Sequence, residues 1–136
     1  MLKAEVWSDS GRSVVIMDSI TKVTAENTGQ AIVSASHGGA SSGEFALEHP
    51  GAVVMFNDAG CGKDDAGVAA LDMLERAGVA AATIAHTSAR IGDSRDHWDS
   101  GRISFMNAKA RELGFQQGQA VSDALKQWAA TGRVGS

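Results

Sequence analysis

Three apolar runs constrain this chain more than any other feature: QAIVSAS (Gln30–Ser36), GAVVMF (Gly51–Phe56) and VAAATIAH (Val79–His86). Each lacks the alternation of a half-exposed strand, and continuous apolar runs of this length suit central parallel strands covered on both faces. Each also breaks directly into a loop rich in Gly, Ser, His or charge. Helical patterning follows two of these loops, with Val68, Leu71 and Leu74 sharing one face ahead of Gly78. Strand, loop and helix in repeated order imply crossover connections and a parallel sheet.

Short β-prone runs at Lys3–Trp7 and Ser13–Met17, joined by SDSG, predict an N-terminal hairpin, and Ile20–Thr24 reads as an extension of that meander. Ser41 and Glu44 have the spacing of a capping box for a short helix. Ile103, Met106, Ala110 and Leu113 repeat at helical spacing, and Val121, Ala124, Leu125 and Trp128 mark a last helix. The expected fold is a three-layer α/β/α sandwich with a mostly parallel sheet and the hairpin at its edge. One α/β domain over residues 1–136 accommodates all of this, with the Gly/Ser-rich end at 131–136 expected to fray.

A net charge of −4, with scattered Lys and Arg, argues against a nucleic-acid or anionic-membrane surface. No stretch approaches the roughly 18 apolar residues of a membrane span. A single cysteine forms no internal disulfide, and no signal-like segment opens the chain, so it reads as cytoplasmic and complete. An edge hairpin also favours assembly into a homo-oligomer.

In a parallel arrangement SASHGGASSG, NDAGCGKDDAG and HTSARIGDSRDHWDSG all emerge on one edge of the sheet, where ligands of open α/β sheets bind. The GCGK stretch is not a nucleotide loop, because Asp64 and Asp65 follow Lys63 where Ser or Thr would hold magnesium. No G-x-S-x-G elbow is present. Cys61 and Ser36 are candidate nucleophiles, although a lone Cys more often serves as a small hydrophobe. His37 and His86 at strand ends are candidate acid and base, oriented by Asp58, while either ring alone could simply bond a backbone carbonyl.

Lys63, Arg90 and Asp93 are candidates to hold substrate, and the amides around Gly38, Gly39, Gly60 and Gly62 to stabilise developing negative charge. Arg90 could equally pair with surface carboxylates. No zinc spacing occurs; no cofactor is firmly implied, and Asp58, Asp64, Asp65 and Asp93 leave a divalent metal open. Trp98 reads as a lid or a subunit contact. The residues together suggest an enzyme acting on a small polar or anionic metabolite, by amide-type hydrolysis or isomerisation. The rival reading is a non-catalytic metabolite-binding or regulatory subunit using the same pocket.

Overall fold

A computed structural model describes residues 1–135, apart from the side chains of Lys63 and Asp64 and the surroundings of Gly67. Six strands, β1 (Lys3–Asp9), β2 (Arg12–Met17), β3 (Ala31–His37), β4 (Val53–Asn57), β5 (Ala80–Ile84) and β6 (Ile103–Met106), form one sheet in sequential order. β1 and β6 pair antiparallel at the two edges, and β2 to β5 run parallel between them. The helices are α1 (Ala40–Glu48), α2 (Ala69–Arg76), α3 (Ser94–Ser100), α4 (Ala108–Glu112) and α5 (Val121–Thr131). The protein is thus a mixed α/β sandwich around a mostly parallel sheet, with an N-terminal hairpin at its edge.

The central strands are buried on both faces because the side-chain period of two sends alternate residues to opposite layers. Ile32, Val54 and Phe56 pack under α1 and α2 with Leu71 and Leu74. Val33, Met55 and Ala82 pack under α3 and α5 with Trp98, Leu125 and Trp128. Each fully buried Val, Ile or Met contributes about 1.5–3 kcal/mol of transfer free energy. Among the described residues, no helix is long and apolar enough to cross a membrane.

Several local expectations are corrected. Ile20–Thr24 is not a strand: Ile20–Lys22 is a 3-10 turn capped by Ser19, and Ala25–Asn27 is another. The helical period through Ile103 and Met106 belongs to a strand that Asn107 ends. The Asn107 Oδ1 accepts the amides of Ala81 and Ala110, both at 3.0 Å, so it closes the sheet edge and caps α4 together. Helix α1 starts two residues earlier than a Ser41 cap implies, with Gly39 as its N-cap and no side-chain cap bond. Near the C-terminus, Val134 is buried and its amide bonds the Leu113 carbonyl at 2.7 Å.

Helix α3 is the largest departure, since its stretch reads as loop. After β5 the chain recrosses the carboxyl ends of the strands, where the Gly92 amide bonds the Ala35 carbonyl at 3.0 Å. It then starts α3 on the face opposite α1 and α2. Asp18, just past β2, anchors that start by accepting from the Ser94 amide (2.9 Å) and hydroxyl (2.7 Å). Trp98 is buried in the core beneath α3, so it is neither a lid nor an exposed subunit contact.

Candidate active site

Parallel direction brings the ends of β3, β4 and β5 to one edge, and each end carries a polar residue. On β3, His37 is exposed and pairs in register with Asn57 of β4. Its Nδ1 accepts the Gly39 amide at 3.1 Å, which leaves Nε2 to carry the proton of the neutral ring. A Cβ at Gly39 would lie 2.7 Å from His37 Nδ1, so the ring keeps this position only against glycine. Ser36, the preceding residue, accepts the Ile20 amide on its Oγ at 2.9 Å.

On β4, Asn57 is fully buried and all its polar atoms are engaged. Its Oδ1 accepts the Ala59 amide (2.7 Å), while Nδ2 donates to the Ala89 carbonyl (3.0 Å) and to His97 Nε2 (3.1 Å). His97 Nδ1 faces the Asp93 carbonyl oxygen at 2.7 Å and so carries the ring proton, which fixes Nε2 as acceptor. Burial holds the His97 pKa below the usual histidine value, against the opposing pull of the Asp93 carbonyl and of the Asp96, Asp93 and Asp18 charges.

Asp58 follows, with its amide on the Ile84 carbonyl at 2.9 Å. Its Oδ1 accepts three donors: the Gly60 amide (2.8 Å), the His86 amide (3.1 Å) and His86 Nδ1 (3.0 Å). Burial alone would raise the Asp58 carboxyl. The Ser104 hydroxyl, the Gly60 and His86 amides and the His86 ring outweigh that and hold it below the usual carboxylate range. The His86 side chain is 53% exposed against 6% for Asp58, so the carboxylate is the buried anchor and the ring the accessible partner. With Nδ1 turned to the carboxylate, Nε2 faces outward.

Between them the backbone turns through four consecutive residues at positive φ: Ala59 (52°), Gly60 (72°), Cys61 (66°) and Gly62 (66°). Left-handed conformations cost non-glycine residues such as Ala59 and Cys61 about 1–3 kcal/mol each and persist where surroundings over-determine them. Here the Asn57 and Asp58 side chains bracket the turn from inside, and the Cys61 amide bonds the Asp58 carbonyl. The turn lets Gly60 lie against the His86 ring; a Cβ there would sit 3.5 Å from Cε1.

Comparison with family models, curated proteins and solved structures returns no match.

Of the residues singled out from sequence, the fold joins Asp58 to His86 and sets His37 on the same edge. It does not free the glycine amides expected to stabilise charge. Gly38 donates to the Asn57 carbonyl (2.9 Å), Gly39 to His37, and Gly60 to Asp58; only Gly62 has no internal acceptor among the described residues. The open donors lie instead in the first turn of α1, whose amides have no intrahelical acceptor.

Asp93 caps α3, its Oδ1 accepting the Asp96 amide at 3.0 Å. Cys61 is half-buried, and burial, then the charges of Asp58 and Asp65, push its thiol up, which disfavours a thiolate nucleophile. Arg90 is exposed and makes no ion pair among the described residues. The side chain of Lys63, expected to hold substrate, lies outside the described residues, as does that of Asp64. Among the described residues no group of three or more His, Cys, Asp or Glu is placed to hold a metal.

Sequence reasoning missed Asn57 and left His97 unassigned. The Asp93 to Asp96 spacing is itself a helix-start signature and would have revealed α3, and with it the buried ring. Nothing local marks Asn57, whose partners lie on two distant segments.

Proposed function

We propose that this protein is an enzyme acting on a small polar or anionic metabolite by acid–base chemistry at the carboxyl ends of β3 to β5. The observation that carries this reading is the Asp58 Oδ1, which grips both the amide and Nδ1 of His86 and leaves Nε2 accessible. A carboxylate placed this way selects one tautomer, orients the ring and stabilises the imidazolium formed when Nε2 takes a proton.

His86 is the base in this scheme and His37, with Nε2–H outward, the donor. The two histidines flank strands separated by one other, so the strand axes are about 10 Å apart, room for a small substrate between the rings. In an amide-type hydrolysis, His86 takes a proton from water, hydroxide adds to the carbonyl carbon, and protonation of the leaving nitrogen releases the amine. In an isomerisation, His86 takes a proton from carbon next to a carbonyl while His37 donates to the carbonyl oxygen; the enediol so formed takes the proton back from His86 on the other carbon and returns one from its second hydroxyl to His37. Cys61 and Ser36 have no part in either route.

The test is incubation with a panel of small amides, lactams and hydroxy or keto acids in deuterated water, followed by NMR. Hydrolysis splits the substrate, whereas isomerisation leaves deuterium on carbon. His86→Ala is expected to lower turnover about 10²–10⁴-fold. Turnover indifferent to His86→Ala would overturn the mechanism, and saturable binding with the ligand recovered unchanged would favour a regulatory subunit.

A further inference from the structure

A cleft of about 330 Å³ opens beside His37, between α1 and the loop that leads into α3. Its floor is polar, with Ser36 and Ser42, and its walls are apolar, with Ile20, Phe45 and Ile91. Phe45 and Ile91 are 38% and 55% exposed.

Ser42 gives the cleft its chemistry. It is only 4% exposed, and its hydroxyl has no hydrogen-bond partner among the described residues. No fully buried side-chain oxygen or nitrogen among those residues lacks a partner, so the Ser42 oxygen keeps a small accessible surface, and Ser42 is one of the residues lining the cleft. A polar group buried this far is costly unless something bonds it. Ser36 points the same way: its oxygen accepts from Ile20, and its proton has no acceptor among the described residues. The first-turn amides of α1, at the positive end of a nine-residue helix, add unpaired donors.

Donors therefore dominate, and the complementary ligand group is an anion. Among the described residues Asp18 is the one carboxylate lining the cleft, and its oxygens already accept from the Leu2 amide and from the Ser94 amide and hydroxyl. No Lys or Arg lines the cleft among the described residues, which disfavours a phosphate dianion and suits a single negative charge. The apolar walls add a short hydrocarbon body.

We infer that this cleft binds a monocarboxylate, its carboxyl group on the α1 first turn with Ser36 and Ser42, and its apolar body between Phe45 and Ile91. The inference rests on the proposed function in one respect: this carboxylate is the anionic end of the metabolite presented to His37 and His86.

The experiment is an amide NMR titration of the full chain with isovalerate, isovaleramide and inorganic phosphate, repeated on Ser42→Ala, Ile91→Asp and His86→Ala. Isovalerate is expected to shift the resonances of α1 and the 85–93 loop, with isovaleramide and phosphate weaker. Loss of a hydrogen bond to the charged group in Ser42→Ala is expected to weaken isovalerate about tenfold. Ile91→Asp, at a position 55% exposed, replaces an apolar wall with a hydrated charge and is expected to weaken isovalerate about tenfold or more. Equal binding of isovaleramide, tighter binding of phosphate, or indifference to both cleft substitutions overturns the inference. Binding that survives His86→Ala supports the cleft even where turnover fails, so the two proposals fail separately.

Discussion

Asn57 and His97 meet 3.1 Å apart inside the protein, Nδ2 to Nε2, and both are fully buried. The pair ties the end of β4 to α3, and the same Asn57 amide holds the Ala89 carbonyl of the loop over the strand ends. A protonated His97 loses its acceptor, because both ring nitrogens then donate.

Acid stability follows from that contact. The folded pKa of His97 is depressed, so its contribution is fully present above the unfolded value near 6.5 and is lost as pH falls from there through the folded value. Unfolding free energy is expected to fall below about pH 6.5 by at most about 1.4 kcal/mol per pH unit from this group. Denaturant titrations at several pH values check this, with His97→Gln flattening the slope. Asp58, also depressed, adds its own loss only at lower pH, below the usual carboxylate value.

Asp58→Asn keeps an oxygen for the Gly60 and His86 amides but removes the charge facing His86 Nδ1. Turnover of an identified substrate is expected to fall about 10²–10⁴-fold, with the fold retained. Nitrogen NMR of the His86 ring reads the tautomer directly, and an unchanged tautomer with unchanged rate would refute the orienting role.

Gly39→Ala tests the placement of His37. The added Cβ meets the ring at 2.7 Å, while the backbone at φ −79° accepts alanine without strain. The ring can swing away, so stability changes little, but the bond from the Gly39 amide is lost. A rate loss of up to about 10²-fold from misplacement is expected, with thermal melting nearly unchanged. An unaffected rate would remove His37 from the mechanism.

Trp98→Ala distinguishes core from lid. Truncating a buried tryptophan costs about 3–5 kcal/mol, so the denaturation midpoint is expected to drop sharply. A stable variant with altered ligand affinity would instead mark a lid.

The sequence determined the central strands β3 to β5 and their direction. Continuous apolar runs separated by helical patterning specify a parallel sheet through local periodicity, and parallel direction alone sends Asp58, His37 and His86 to one edge. Periodicity alone pointed to a helix here, because Ile103, Met106, Ala110 and Leu113 recur at helical spacing, and the strand is decided by pairing with β5 and by the partners of Asn107. Nor could it say which amides remain open. Gly38, Gly39 and Gly60 look like free donors in sequence, and the turn geometry commits all three internally. Asn57 and His97 became partners only because α3 folds back over β2 and β3. Hydrogen-bond partners depend on which segments become neighbours in space, and that is settled by packing across the whole sheet rather than by any local run of residues.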